Sequence, residues 1–183
     1  RAILAAADMK IIDVDINAVN GGSFAVTATH AKNTSFAVNT RAIENVLMAE
    51  DEQALMSPAT YQRFARRAES HAADLRTVLS ELKASGKRVF GLGASTKGNV
   101  LLQYFNIDNK KISFAAERNK NKYGLVTPGS KIKIISEENS RKMKPDYYLV
   151  LPWHFKKEIL KREKNILKKG TKFIFPLPKF EII

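Results

Sequence analysis

Cysteine is absent from the 183 residues, which excludes disulfides and thiolate metal centres. The three histidines, His30, His71 and His154, are scattered and give no metal-ligand spacing, so no metal site is expected. No apolar run approaches the length that crosses a bilayer. No secretory signal opens the chain, and cytoplasmic residence is the resulting expectation. Acid is in short supply, with 18 Asp and Glu against 31 Lys and Arg, a net charge of +13. Such an excess directs attention to anionic partners: nucleic acid, acidic membrane or phosphorylated small molecules. Much of it reads as solvated surface. In residues 156–167, Ile159, Leu160, Ile166 and Leu167 form one apolar stripe with Glu163 between them, and the lysines cover the outer face. An initiating methionine is also missing. The chain opens on Arg1 within the helical pattern Ala2-Ile3-Leu4-Ala5-Ala6-Ala7, which gives the expectation of a piece of a longer protein.

What is present is 44% hydrophobic, enough for a core and for one domain or one and a half. Residues 1–7 read as the tail of a helix. Met9 to Ile16 and Phe24 to Thr29 read as strands joined by the turn Val19-Asn20-Gly21-Gly22-Ser23, a β-hairpin. A short helix is expected around Ile43 to Met48. Ser57-Pro58 starts a longer one, with Ser as N-cap and Pro at the first helical position. Tyr61, Ala68, Leu75 and Leu82 carry its apolar stripe towards a stop at Gly86. His71 lies beside that stripe and reads as a packed or partly exposed residue.

From Lys87 the pattern changes to repeated strand and helix segments. Arg88 to Gly91, Ile112 to Ala116, Lys131 to Ile135, Tyr147 to Leu151 and Lys172 to Phe175 read as strands, the last closing the series. Helices follow Thr96, the cap Ser136 and Lys156. Apolar strands alternating with helices predict an α/β fold: a Rossmann-like, doubly wound, mostly parallel sheet, preceded by a β-hairpin and a long connecting helix. The expected division is 1–56 for the hairpin and junction, 57–86 for the connecting helix and 87–183 for the Rossmann-like domain.

The segment Gly91-Leu92-Gly93-Ala94-Ser95-Thr96-Lys97-Gly98-Asn99 joins a strand to a helix. A helix start offers free N–H groups to an anion, and small residues let a ligand approach the backbone. Ser95 and Thr96 add hydroxyls and Lys97 a charge. This is not a P-loop, because Lys97 precedes Gly98. It is not a full dinucleotide fingerprint either, because Thr96 takes the third glycine's place. A turn that binds nothing is the alternative. Glu117 lies about twenty residues further on, where an acid accepts from a ribose hydroxyl in dinucleotide folds. The competing role is a surface acid paired with Arg118 or Lys120. Gly91–Asn99, Glu117–Lys122 and Pro152-Trp153-His154 all fall at carboxyl ends of strands, where such sheets bind ligands.

Taken in order, several motifs resemble the C-terminal domain of S-adenosylmethionine-dependent sugar C-methyltransferases. They are Gly91–Asn99 with Leu101-Leu102-Gln103, Glu117-Arg118-Asn119, Lys122-Tyr123-Gly124, Thr127-Pro128-Gly129, Ile134-Ile135-Ser136-Glu137, Lys144-Pro145-Asp146-Tyr147, Leu149 to Phe155, and Phe175-Pro176-Leu177-Pro178. Asn20-Gly21-Gly22-Ser23-Phe24 resembles the hairpin that joins the family's catalytic half. The resemblance implies a parent enzyme that methylates a carbon of a nucleotide-linked keto-sugar. A base removes the proton beside the ketone, and the carbanion attacks the methyl sulfonium.

In that picture this part holds the nucleotide sugar. The methyl-transfer chemistry, the zinc cysteines and the S-adenosylmethionine site belong to the upstream methyltransferase domain, so the fragment alone is expected to be inactive and to hold no cofactor. The implied substrate-binding residues are Gly93, Ala94, Ser95, Thr96, Lys97, Asn99, Glu117, Lys122, Trp153 and His154, with Gly22 and Ser23 from the hairpin. The catalytic residue stays unassigned, and His30 at the end of a hairpin strand is a weak candidate. Ala25 stands where the family often has arginine. Two further readings remain open: a basic nucleic-acid-binding module, which lacks the expected aromatic interleaving, and a non-catalytic assembly domain.

Overall fold

The computed structural model describes all 183 residues and divides into two compact units, Arg1–Ala65 and Arg66–Ile183. In the first unit, helix α1 (Ala2–Ala6) leads into strands β1 (Met9–Asn17) and β2 (Ser23–His30), an antiparallel hairpin with a bulge between Ile11 and Asp13. Three successive residues with positive φ, Asn20, Gly21 and Gly22, reverse the chain. Helix α2 (Thr40–Glu52) packs on β1. It is longer than the apolar pattern predicts because Asn39 caps it early: Asn39 Oδ1 accepts from Ala42 N at 3.2 Å, and Nδ2 donates to Asp13 Oδ1 at 2.9 Å. Ile12 and Ile43 are the buried apolar residues of this unit.

Helix α3 (Pro58–Ala84) spans the length that its cap and stop signals predict. Its stripe is buried only in the second unit, at Ala72, Leu75 and Leu79, while Tyr61 and Phe64 are exposed. The rest of the second unit is built on a six-stranded sheet. Its strands are β3 (Val89–Leu92), β4 (Phe114–Glu117), β5 (Lys133–Ser136), β6 (Tyr147–Val150), β7 (Lys172–Phe175) and β8 (Glu181–Ile182), arranged β5-β4-β3-β6-β7-β8. The first five pair in parallel and β8 pairs antiparallel with β7. Counted within the sheet, the order is 3-2-1-4-5-6, the arrangement of dinucleotide-binding doubly wound folds, and the connection reverses between β3 and β6. The fold class is therefore the Rossmann-like one expected.

Alternation along the strands separates two apolar layers. Val89, Ala115, Leu149 and Leu151 meet α3 and α4 (Thr96–Tyr104). Phe90, Leu92, Ala116, Tyr148 and Val150 meet α6 (Lys156–Arg162) and α7 (Lys164–Lys168). Helix α5 (Glu137–Lys142) starts at Ser136, whose Oγ accepts from Asn139 N at 3.1 Å.

Two expectations need correction. The lysine-rich helix is broken at Glu163, which is only 3% exposed. The Glu163 carboxylate turns inward, its Oε1 accepting from Arg141 Nη2 at 2.8 Å and Arg162 Nε at 2.7 Å. A residue placed as a gap in an apolar stripe is thus a buried ionic anchor. Nor is β7 the last strand: β8 follows, a two-residue segment too short to show periodicity.

Candidate functional site

Strand β3 ends at Leu92 and the chain turns at Gly93, where φ is +82°. A Cβ there would lie 2.9 Å from Pro152 Cδ, so both backbone angle and space require glycine. Gly93 N donates to Ala116 O at 2.6 Å, tying the turn to the end of β4. Ala94 N donates to Glu117 Oε2 at 2.8 Å, and Ala94 O accepts from Lys122 Nζ at 2.9 Å. Ser95 is the N-cap of α4, its Oγ accepting from Gly98 N at 3.1 Å. Thr96 and Lys97 occupy the exposed first turn.

Gly98 is buried against the neighbouring strand end. An added Cβ would fall 2.6 Å from Leu151 Cβ. Close helix-to-strand packing is the task of the third glycine in the dinucleotide fingerprint. Here it falls two residues after the fingerprint's third place, which Thr96 holds.

On the far side of the reversal, β6 delivers Pro152, Trp153 and His154. Trp153 is half-buried and packs against both apolar layers, so much of its surface serves the core. His154 lies against Phe155, ring centroids 4.3 Å apart. Burial, and then the charge of Lys97, push the His154 pKa below its ordinary value, so the imidazole is neutral at pH 7. Its Nδ1 is buried without a hydrogen-bond partner in the protein, and so is Asn99 Oδ1. Buried polar atoms are rarely left unpaired, and two of them beside one turn mark a place where a polar ligand can be met.

A cavity of about 370 Å³ opens at these strand ends, a size that suits a small molecule. Gly93, Ala94, Ser95 and Glu117 line it from the turn, Phe155, Ile159 and Arg162 from the cap and length of α6, and Arg118 and Glu137 from the β4 and β5 ends. Burial raises the Glu117 pKa, but hydrogen bonds from the Asn119, Ala94 and Arg118 amides and the Lys122 charge outweigh it, leaving the group below its ordinary value. Glu117 is therefore a carboxylate at neutral pH.

Of the residues that sequence reasoning reached, Gly93, Ala94, Ser95 and Glu117 line this cavity, whereas Thr96, Lys97, Asn99, Lys122, Trp153 and His154 lie in the same unit but outside its lining. Sequence reasoning missed Phe155, Ile159 and Arg162 as cavity lining. The available signal was their spacing along α6, from the residue after His154. Gly22 and Ser23 belong to the first unit, where Ser23 Oγ donates to Val19 O at 3.0 Å. His30 ends β2, paired with Met9 and exposed. No group of three or more His, Asp or Glu side chains is arranged to hold a metal ion.

Residues 18–178 match the sequence profile described as the C-methyltransferase C-terminal domain. The chain is also 36% identical over 175 residues to the C-methyltransferase NovU of Streptomyces niveus, an alignment that covers 96% of this chain and 41% of that protein. The chain thus spans about two fifths of the length of the curated relative it matches.

Proposed function

The chain belongs to the C-methyltransferase C-terminal domain family, and from that premise we propose that it binds the nucleotide-linked keto-sugar on which a parent S-adenosylmethionine-dependent C-methyltransferase acts. The observation that carries this reading is the turn at the sheet's reversal. It offers the N-terminus of α4, the Ser95 and Thr96 hydroxyls and the Lys97 charge beside the partnerless Asn99 Oδ1 and His154 Nδ1. Helix starts of this kind bind phosphates, and neutral polar atoms beside them suit sugar hydroxyls.

In this reading the upstream methyltransferase domain, a partner within the same protein, holds S-adenosylmethionine and removes the sugar proton. The cationic Lys97 favours an anion over a sulfonium at this turn. A cytoplasmic location belongs to the same reading.

The test is titration of the wild type and of Lys97→Ala with a nucleoside diphosphate sugar. Losing a charge-assisted contact weakens binding by about ten- to a hundredfold. Equal affinity in the two proteins removes Lys97 from the site. Steeply salt-dependent retention on random DNA, with no affinity for the nucleotide sugar, would replace this reading with the nucleic-acid one.

A further inference from the structure

The acid at the end of β4 stands where dinucleotide folds place a ribose acceptor, yet its oxygens are already engaged. Glu117 Oε1 accepts from Arg118 N at 2.7 Å and Asn119 N at 2.9 Å. Oε2 accepts from Ala94 N at 2.8 Å and faces Lys122 Nζ at 3.8 Å. A carboxylate has about four acceptor positions. Three are filled by backbone amides and the remaining side faces the ammonium. The side chain of Glu117 is only 14% exposed.

Lys122 completes the arrangement by donating to Ala94 O at 2.9 Å. Its place is fixed locally, because Asn119 Oδ1 accepts from Asn121 N at 3.0 Å and caps the short 3-10 turn Lys120–Lys122. Both polar groups of Ala94, itself 3% exposed, are thus held by one ion pair that comes from the β4–β5 connection.

We infer that Glu117 and Lys122 are positioning residues that clamp the Ala94 backbone and so set the anion-binding turn, Glu117 holding its N–H and Lys122 its carbonyl, rather than groups that touch ligand. Ala94 immediately precedes the Ser95 cap. Fixing its peptide groups fixes the direction in which the start of α4 points. A carbonyl held by an ammonium also cannot swing toward an incoming anion. The ligand part of this inference rests on the nucleotide-sugar reading; the structural part does not.

The experiment has two arms on the same variants. Amide hydrogen exchange of Ala94 is followed by NMR in the wild type, Glu117→Ala, Glu117→Gln and Lys122→Met. Affinities for uridine diphosphate and for inorganic pyrophosphate are measured alongside. Glu117→Ala is expected to speed Ala94 exchange by about ten- to a hundredfold, with the amides of β6 unchanged. Glu117→Gln, which keeps an acceptor, recovers part of the protection, and Lys122→Met falls between.

If the clamp positions the turn, Glu117→Ala weakens pyrophosphate and uridine diphosphate by the same factor. A loss confined to uridine diphosphate means that Glu117 binds the ribose and overturns the inference, as does unchanged Ala94 exchange. If the wild type binds neither ligand, the nucleotide reading fails and the exchange arm alone decides the clamp.

Discussion

Gly98→Ala sets two physical effects in opposition. Gly98 lies inside α4 with an ordinary helical backbone, so replacing it with alanine should stabilise the helix by about 1 kcal/mol from propensity alone. Packing says the reverse. The new Cβ would sit 2.6 Å from Leu151 Cβ and 3.1 Å from Ser95 Oγ, while carbon atoms in contact rest roughly 3.5–4.0 Å apart. Leu151 is fully buried and its Cβ is fixed to the backbone, so no rotamer change relieves the overlap. Helix α4 must move away from β6 by about 1 Å, at an overpacking cost of about 1–3 kcal/mol, and loosening of the Ser95 cap adds to this. The expected net loss is about 1–2 kcal/mol. Trp153 is the chain's single tryptophan and packs on both layers of this unit, so urea unfolding followed by its fluorescence reads the effect directly. A denaturant slope of roughly 1–3 kcal/mol per molar gives a midpoint lowered by about 0.3–2 M. An unchanged or raised midpoint would show that propensity dominates and that the close approach of α4 to β6 is not a constraint.

Three other outcomes follow from the same geometry. Glu163→Ala removes the buried one of the two carboxylates that Arg141 and Arg162 share, while Glu137 stays paired with both at 2.8 Å; the cost should be about 1–2 kcal/mol, below that of a fully buried pair, and urea titration checks it. Lys97→Ala removes the cation that, after burial, lowers the His154 pKa, so the His154 ring titration followed by NMR should move upward, and an unmoved titration would separate the two residues. Because Glu117 titrates below its ordinary value in the folded protein, it contributes stability above the unfolded-state pKa and loses it as pH falls through the folded one. The unfolding midpoint should therefore drop below about pH 4.5, and Glu117→Gln should flatten that limb.

The parts of the fold legible in the sequence are those set by local rules. Ser136 starts a helix because a side-chain oxygen three residues before a free N–H can reach it; Asn39 and Ser95 cap by the same rule, though neither is among the caps expected from the sequence. Gly86 and Gly93 mark positions with φ of +70° and +82°, which only glycine adopts without cost. Apolar strands alternating with helices predicted the parallel sheet. What escaped depends on partners far along the chain. Glu163 looks like a polar gap in an apolar stripe until Arg141, 22 residues earlier, is brought against it. Strand β8 exists only because Phe173 and Ile183 exchange backbone hydrogen bonds, and two residues carry no period.

The site divides along the same line. An offset of about twenty residues from a glycine turn selects Glu117 as an acid at a strand end, and that position is where the fold puts it. The offset says nothing of whether its oxygens are available. Three amide donors, two of them adjacent in sequence and one 23 residues away, take up the acceptor capacity that a ribose would need. The same holds for glycine: the fingerprint's third place is Thr96, yet the close packing that the fingerprint demands is met at Gly98. Spacing therefore locates the residues of such a site, but their roles follow from which hydrogen-bonding positions and which volumes the rest of the fold has already taken.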